Sequence, residues 1–131
     1  MGIRCRVDVD ETDESLTATC SGGDLGLLIG KHGQTIDAVQ TLAAAILGGE
    51  AEGRKQVVVD AEGYRDRRRR TVEAIAVRCA EQAVREGASV ELEPMSSAER
   101  RLVHECLKGY EGVTTESDGV EPHRYVVVQP A

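Results

Sequence analysis

Two short clusters of residues have the types and spacing to hold a phosphodiester backbone. The first is Gly30, Lys31, His32 and Gly33 in succession. Glycines let a ligand backbone approach closely, Lys31 adds a full positive charge, and His32 adds a hydrogen-bond donor. A helix starting just after Gly33 would aim its unpaired N–H groups and its positive dipole end at the same place. The second cluster is Arg100, His104 and Lys108 at i, i+4 and i+8, with Arg101 beside them. At about 100° per residue these side chains line one ridge of a helix, and no acidic residue alternates within the stripe. Arginine takes phosphate oxygens bidentately, and histidine donates in either protonation state. Arg124, at the start of a later valine-rich segment, is placed to join them. Each cluster also has a plain structural reading. Gly-x-x-Gly alone is an ordinary helix–helix turn, His104 can satisfy a neighbouring strand, and Arg100 can pair with a nearby glutamate.

A third basic group, Arg65 and Arg67 through Arg70, lies within six positions. Its plain reading is a solvated helix face supported by Asp66–Arg70 and Arg69–Glu73 pairs at i, i+4. Its functional reading is an extension of the electropositive surface. The clustering matters because the whole chain carries a net charge of −7. Phosphate contacts supply most non-specific nucleic-acid affinity, so an acidic chain must bind through local patches.

The elements that would position these groups follow from periodicity. Residues 3–9 alternate apolar and polar as a half-buried strand, and so do residues 16–20. An acidic turn joins them. Placing Glu11 opposite Glu14 sets Val9 against Leu16, Val7 against Ala18 and Cys5 against Cys20, as thiols. Leu25, Leu28 and Ile29 share one side of a short helix after Asp24. Together with Ile36 they are candidates to line an apolar groove for bases. A second helix follows the glycine loop, with Ile36, Val39, Ala43 and Ile46 in step, and Gly48-Gly49 ends it. The valine run of residues 56–60 reads as a strand buried on both faces. Residues 64–86 read as one helix ended by Gly87. Residues 89–93 alternate as a strand. Ser96 with Glu99 forms a capping box for a helix to about Lys108, whose core side is Leu102, Val103, Cys106, Leu107 and Tyr110. Val113 to Thr115 and Tyr125 to Val128 complete the chain. The fold class is α+β in two small domains. Residues 1–62 form a β-β-α-α-β unit, and residues 63–131 form a second α/β unit that begins with the long helix.

Composition narrows the function. The chain has 131 residues, 40% of them hydrophobic and only 2% aromatic, so its core is aliphatic. No apolar run reaches the roughly 20 residues of a membrane helix, nor is there a signal-peptide stretch. A cytoplasmic protein without membrane insertion is expected. The four cysteines lack close C-x-x-C spacing, which argues against a metal site. No nucleophile elbow, P-loop or carboxylate–histidine set is present, so neither an enzyme nor a cofactor is expected.

The order strand, strand, helix, Gly-x-x-Gly, helix, strand over residues 3–60, with the loop flanked by Ile29 and Ile36, resembles a KH domain. The resemblance implies that Gly30, Lys31, His32 and Gly33 clamp a nucleic-acid backbone. Arg100 to His104 resembles the signature of the Arg-x-x-x-His domain family, associated with single-stranded nucleic acid. Residues 91–95, 112–117 and 121–124 extend that match, and both halves in this order resemble the bacterial Jag, or KhpB, family. Longer members carry a further N-terminal domain, whereas this chain begins at the hairpin. The resemblance implies a post-transcriptional regulator linked in relatives to cell elongation and division. Its ligand would be single-stranded RNA, with single-stranded DNA as the alternative. The competing expectation is a scaffold whose KH domain docks a partner KH protein or a second copy.

Overall fold

In the computed structural model, which describes residues 2–48 and 55–131, the hairpin forms from the two alternating segments: β1 is Arg6–Glu11 and β2 is Ser15–Ser21. Its register differs from the sequence expectation by two residues. Val7 lies opposite Cys20, Val9 opposite Ala18 and Glu11 opposite Leu16. Thr12 explains the shift. Its Oγ1 accepts the N–H groups of Glu14 (3.2 Å) and Ser15 (2.9 Å), and its own N–H donates to the Ser15 carbonyl. The tight turn is therefore Asp13-Glu14, not Thr12-Asp13. A two-residue shift keeps every side chain on its face, whereas a one-residue shift would not. Cys5 consequently sits diagonal to Cys20 rather than opposite it. Both remain free thiols, and burial followed by the nearby Cys5 pushes the Cys20 thiol up.

Two short helices follow, α1 (Leu25–Ile29) and α2 (Gln34–Gly48), separated by a single 3₁₀ turn at Lys31–Gly33. The expected helix end at Gly49 lies outside the described residues. Strand β3 (Gln56–Ala61) returns parallel to β2, giving the order β1–β2–β3. A parallel return needs a crossover, and α1 and α2 supply it. The first core gathers Cys20, Leu25, Leu28, Ile36, Val59 and Ala61. Two expectations fail here. The valine strand is an edge strand in which only Val59 and Ala61 are buried. The first strand is exposed throughout.

Helix α3 (Tyr64–Glu86) starts and stops where its sequence signals lie. After it come β4 (Val90–Glu91), α4 (Ser97–Leu107), β5 (Val113–Asp118) and β6 (Tyr125–Pro130). The second sheet is antiparallel, in the order β4–β6–β5. Its core joins Val72, Ala76, Ala80 and Ala83 of α3 to Val103 and Leu107 of α4 and to Val113, Val126 and Val128. The small alanines let α3 lie close to its neighbours. The chain divides into two compact units, up to Arg67 and from Arg68 onward, and the division falls inside α3.

Candidate nucleic-acid interface

The glycine loop is shaped by packing. The Gly30 N–H donates to the Gly26 carbonyl at 2.9 Å, which ends α1. Gly30 and Gly33 have φ values of 72° and 81°, and His32 has φ 53°. Side chains at either glycine would also collide: a Cβ at Gly30 would lie 2.2 Å from Thr35 Oγ1, and one at Gly33 would lie 2.9 Å from the Tyr64 ring. Gly33 is thus buried under Tyr64, while Lys31 and His32 are exposed at the tip. Neither has a side-chain partner among the described residues. Helix α2 begins at once behind them, so its first N–H groups face the same side. Asp37 in its first turn would oppose an anion, but Arg65 Nη1 pairs with it at 2.7 Å. Of the proposed groove residues, Leu25 and Leu28 are each 7% exposed and Ile36 is 0% exposed, all within the core, while Ile29 is half-buried against it. Leu27, which sequence reading passed over, is the exposed apolar side chain of α1.

Most of the arginine run is committed within the fold. Arg65 also donates from Nε to the Val59 carbonyl at 2.7 Å. Arg67 bonds the Glu62 carbonyl. Arg68 grips Glu99 with two bonds of 2.9 and 3.3 Å, both side chains being 17% exposed. Arg69 pairs with Glu73 at 3.3 Å. The capping box is accordingly half-formed. Ser96 Oγ accepts the Glu99 N–H, but the Glu99 carboxylate goes to Arg68.

On α4 the basic residues separate into two kinds. Arg100 points inward and is 7% exposed. It donates to the Met95 carbonyl and to Glu121 Oε1, both at 2.8 Å. His104 is half-buried, with Nδ1 2.7 Å from Thr115 Oγ1 and Nε2 2.9 Å from Ser117 Oγ, both on β5. The expected uniform solvent-facing ridge is therefore absent, because both motif residues tie α4 to the segments around it. Arg101 and Lys108 are exposed, and Arg101 pairs with Glu105 at 3.1 Å. Arg124, half-buried, donates to the Gly119 carbonyl at 3.1 Å. Between α4 and β5 lies an open depression of about 340 Å³, lined by the apolar Leu107 and Val113 and by His104, Glu105, Lys108, Thr114 and Thr115. Thr115 and Ser117 were missed from sequence, although their i, i+2 spacing on a strand puts both hydroxyls on one face. Among the described residues no cluster of three or more His, Cys, Asp or Glu side chains could hold a metal ion. No described helix is long and apolar enough to cross a membrane.

Comparison with known proteins bears on both halves. Residues 1–61 match the KH domain of KhpA/KhpB, and residues 70–130 match the domain named for its Arg-x-x-x-His signature. A protein of Clostridium symbiosum named RNA-binding protein KhpB is 38% identical over 128 residues, covering 98% of this chain and 58% of that protein. Proteins of the same name are 40% identical in Lactiplantibacillus plantarum and 37% identical in Bacillus subtilis, covering 98% and 93% of this chain. The chain spans only 40% and 60% of those two relatives' own length.

Proposed function

Because this chain belongs to the family that joins a KH domain of the KhpA/KhpB type to an Arg-x-x-x-His domain, we propose that it is a non-enzymatic RNA-binding protein. Single-stranded RNA is gripped by its backbone at the Gly30–Gly33 loop. The observation that carries this reading is the loop tip: Lys31 and His32 stand exposed at the start of α2, without partners among the described residues, on a turn only glycines allow. The relatives' printed names support the choice of RNA as ligand. In the second unit, Arg101 and Lys108 are the exposed contacts beside the depression on α4. Arg100, His104 and Arg124 hold the frame that presents them. A chain with net charge −7 binds through such local sites, and a cytoplasmic regulator of transcripts is the matching role.

The test is a variant carrying Lys31→Asp and His32→Asp. Both positions are exposed, so the fold is retained. Two carboxylates facing a phosphate lower affinity for labelled single-stranded RNA by roughly tenfold or more, and losing a cationic contact flattens the salt dependence. Fluorescence anisotropy across a salt series reads both. Equal affinity before and after would remove the loop as the binding site.

A further inference from the structure

The two edges of the first sheet are finished differently. At the β3 edge Val59 turns its backbone away from β2, and both of its groups are taken. Gln40 Oε1 accepts the N–H at 2.9 Å and Arg65 Nε donates to the carbonyl at 2.7 Å. Among the described residues no side chain closes the β1 edge in this way. The ladder identifies which β1 groups are open. The Thr12 N–H donates to the Ser15 carbonyl, while the Cys20 carbonyl turns the other way to accept from Glu62. Bonded pairs alternate along an antiparallel ladder. Arg6, Asp8 and Asp10 therefore bond to β2, and Val7, Val9 and Glu11 turn N–H and C=O outward. The side chains tell the same story. Val7 and Val9 lie across from Cys20 and Ala18, which lie across from Ala61 and Val59. The apolar layer of the core thus continues onto β1, where Val7 and Val9 are 52% and 59% exposed.

We propose that β1 is a docking edge for an extended segment of a partner protein, whose backbone pairs with Val7, Val9 and Glu11 and whose alternate residues are apolar and basic. Charge decides the occupant. Residues 4–14 carry five carboxylates, Asp8, Asp10, Glu11, Asp13 and Glu14, against Arg4 and Arg6. Arg6 pairs with Asp8 at 3.3 Å and Lys55 pairs with Glu11, which leaves Asp10, Asp13 and Glu14 in excess. A second copy pairing through the same strand would set Asp8 and Asp10 against their own kind, and like charges across a ladder destabilise it. RNA is repelled by the same field. A strand with Val or Thr on the core side and Lys or Arg on the other satisfies both faces. Backbone hydrogen bonds supply its affinity, and the alternating side chains supply its selectivity. The proposal is independent of the RNA-binding reading.

The probe is a short labelled peptide in which Val or Thr alternates with Lys, compared with one carrying Glu in place of Lys. Binding to the full chain is read by fluorescence anisotropy and by amide hydrogen exchange. The Lys peptide binds at least about tenfold more tightly, and exchange slows at Val7, Val9 and Glu11, not at Asp8 or Asp10. Val9→Pro removes an outward N–H and no ladder bond, which edge strands tolerate. It abolishes peptide binding and leaves RNA affinity unchanged. Asp8→Lys with Asp10→Lys inverts the peptide preference, which decides the matter should Val9→Pro unfold. Equal affinity for the two peptides would overturn the proposal, as would slowed exchange elsewhere. So would a dimer, seen by sedimentation, that Val9→Pro dissolves.

Discussion

Arg100 donates to the Met95 carbonyl and to Glu121, and its side chain is only 9% exposed. Truncating it leaves the Met95 carbonyl without its partner and empties the space under the start of α4. Glu121 is 60% exposed and stays solvated, so its share of the loss is small. Arg100→Ala is expected to destabilise the protein by about 1–3 kcal/mol, read as a lower urea midpoint. RNA affinity per folded molecule stays close to that of the parent chain. An unchanged midpoint with lost affinity would return Arg100 to the contact residues. The sequence could not settle this. Glu121 is 21 positions away, and an arginine's direction depends on which distant carboxylate the fold delivers. The exposed position of Lys31 and His32 at the loop tip was legible from the two glycines that bracket them, while the packing of Thr35 and Tyr64 against those glycines was not.

At the scale of elements, the loop between α1 and α2 is set by Tyr64 and Thr35 rather than by a ligand. Gly33→Ala forces a side chain at φ 81° and against the Tyr64 ring. It should cost about 1–3 kcal/mol from the backbone conformation alone. A thermal melt checks this, and an unchanged midpoint would mean that the turn adopts another shape. A glycine replacement therefore reports on folding, whereas the Asp variants at the tip report on binding. Helix α3 was legible end to end because its signals are local, with the apolar stripe of Val72, Ile75 and Ala76 inside and Gly87 beyond. The hairpin faces were legible from alternation, but the register was not. One hydroxyl at Thr12 selects the turn, and both registers keep Val7 and Val9 opposite apolar residues, although the observed one sets Glu11 against Leu16. The exposure of β1 was also hidden, since alternation reveals a strand's apolar side without revealing what covers it.

At the scale of the molecule, each unit has a core of its own. Ile36 belongs to the first and Leu107 to the second, at 0% and 2% exposed. Truncating either to Ala should cost about 2–5 kcal/mol. The losses should be local. Ile36→Ala lowers protection of β2 and β3 amides in native-state exchange, and Leu107→Ala lowers that of β5 and β6. A uniform loss across both units in either variant would mean that they unfold as one. Yet the division between the units falls within α3, and the first turn of that helix works for the KH half. Tyr64 roofs Gly33, and Arg65 fastens both Asp37 and the Val59 carbonyl. A fragment cut at Ala61 would therefore keep every residue of the glycine loop and lose both supports. It would also release the Val59 carbonyl, leaving only the Val59 N–H held by Gln40, so that the β3 edge is partly open beside the open β1 edge, a form that invites strand-to-strand aggregation. Excised at Ala61, the KH half is expected to self-associate in light scattering, while a fragment extended through the first turns of α3 stays monomeric. The useful cut site for a minimal KH piece thus lies beyond the point where the domain match ends.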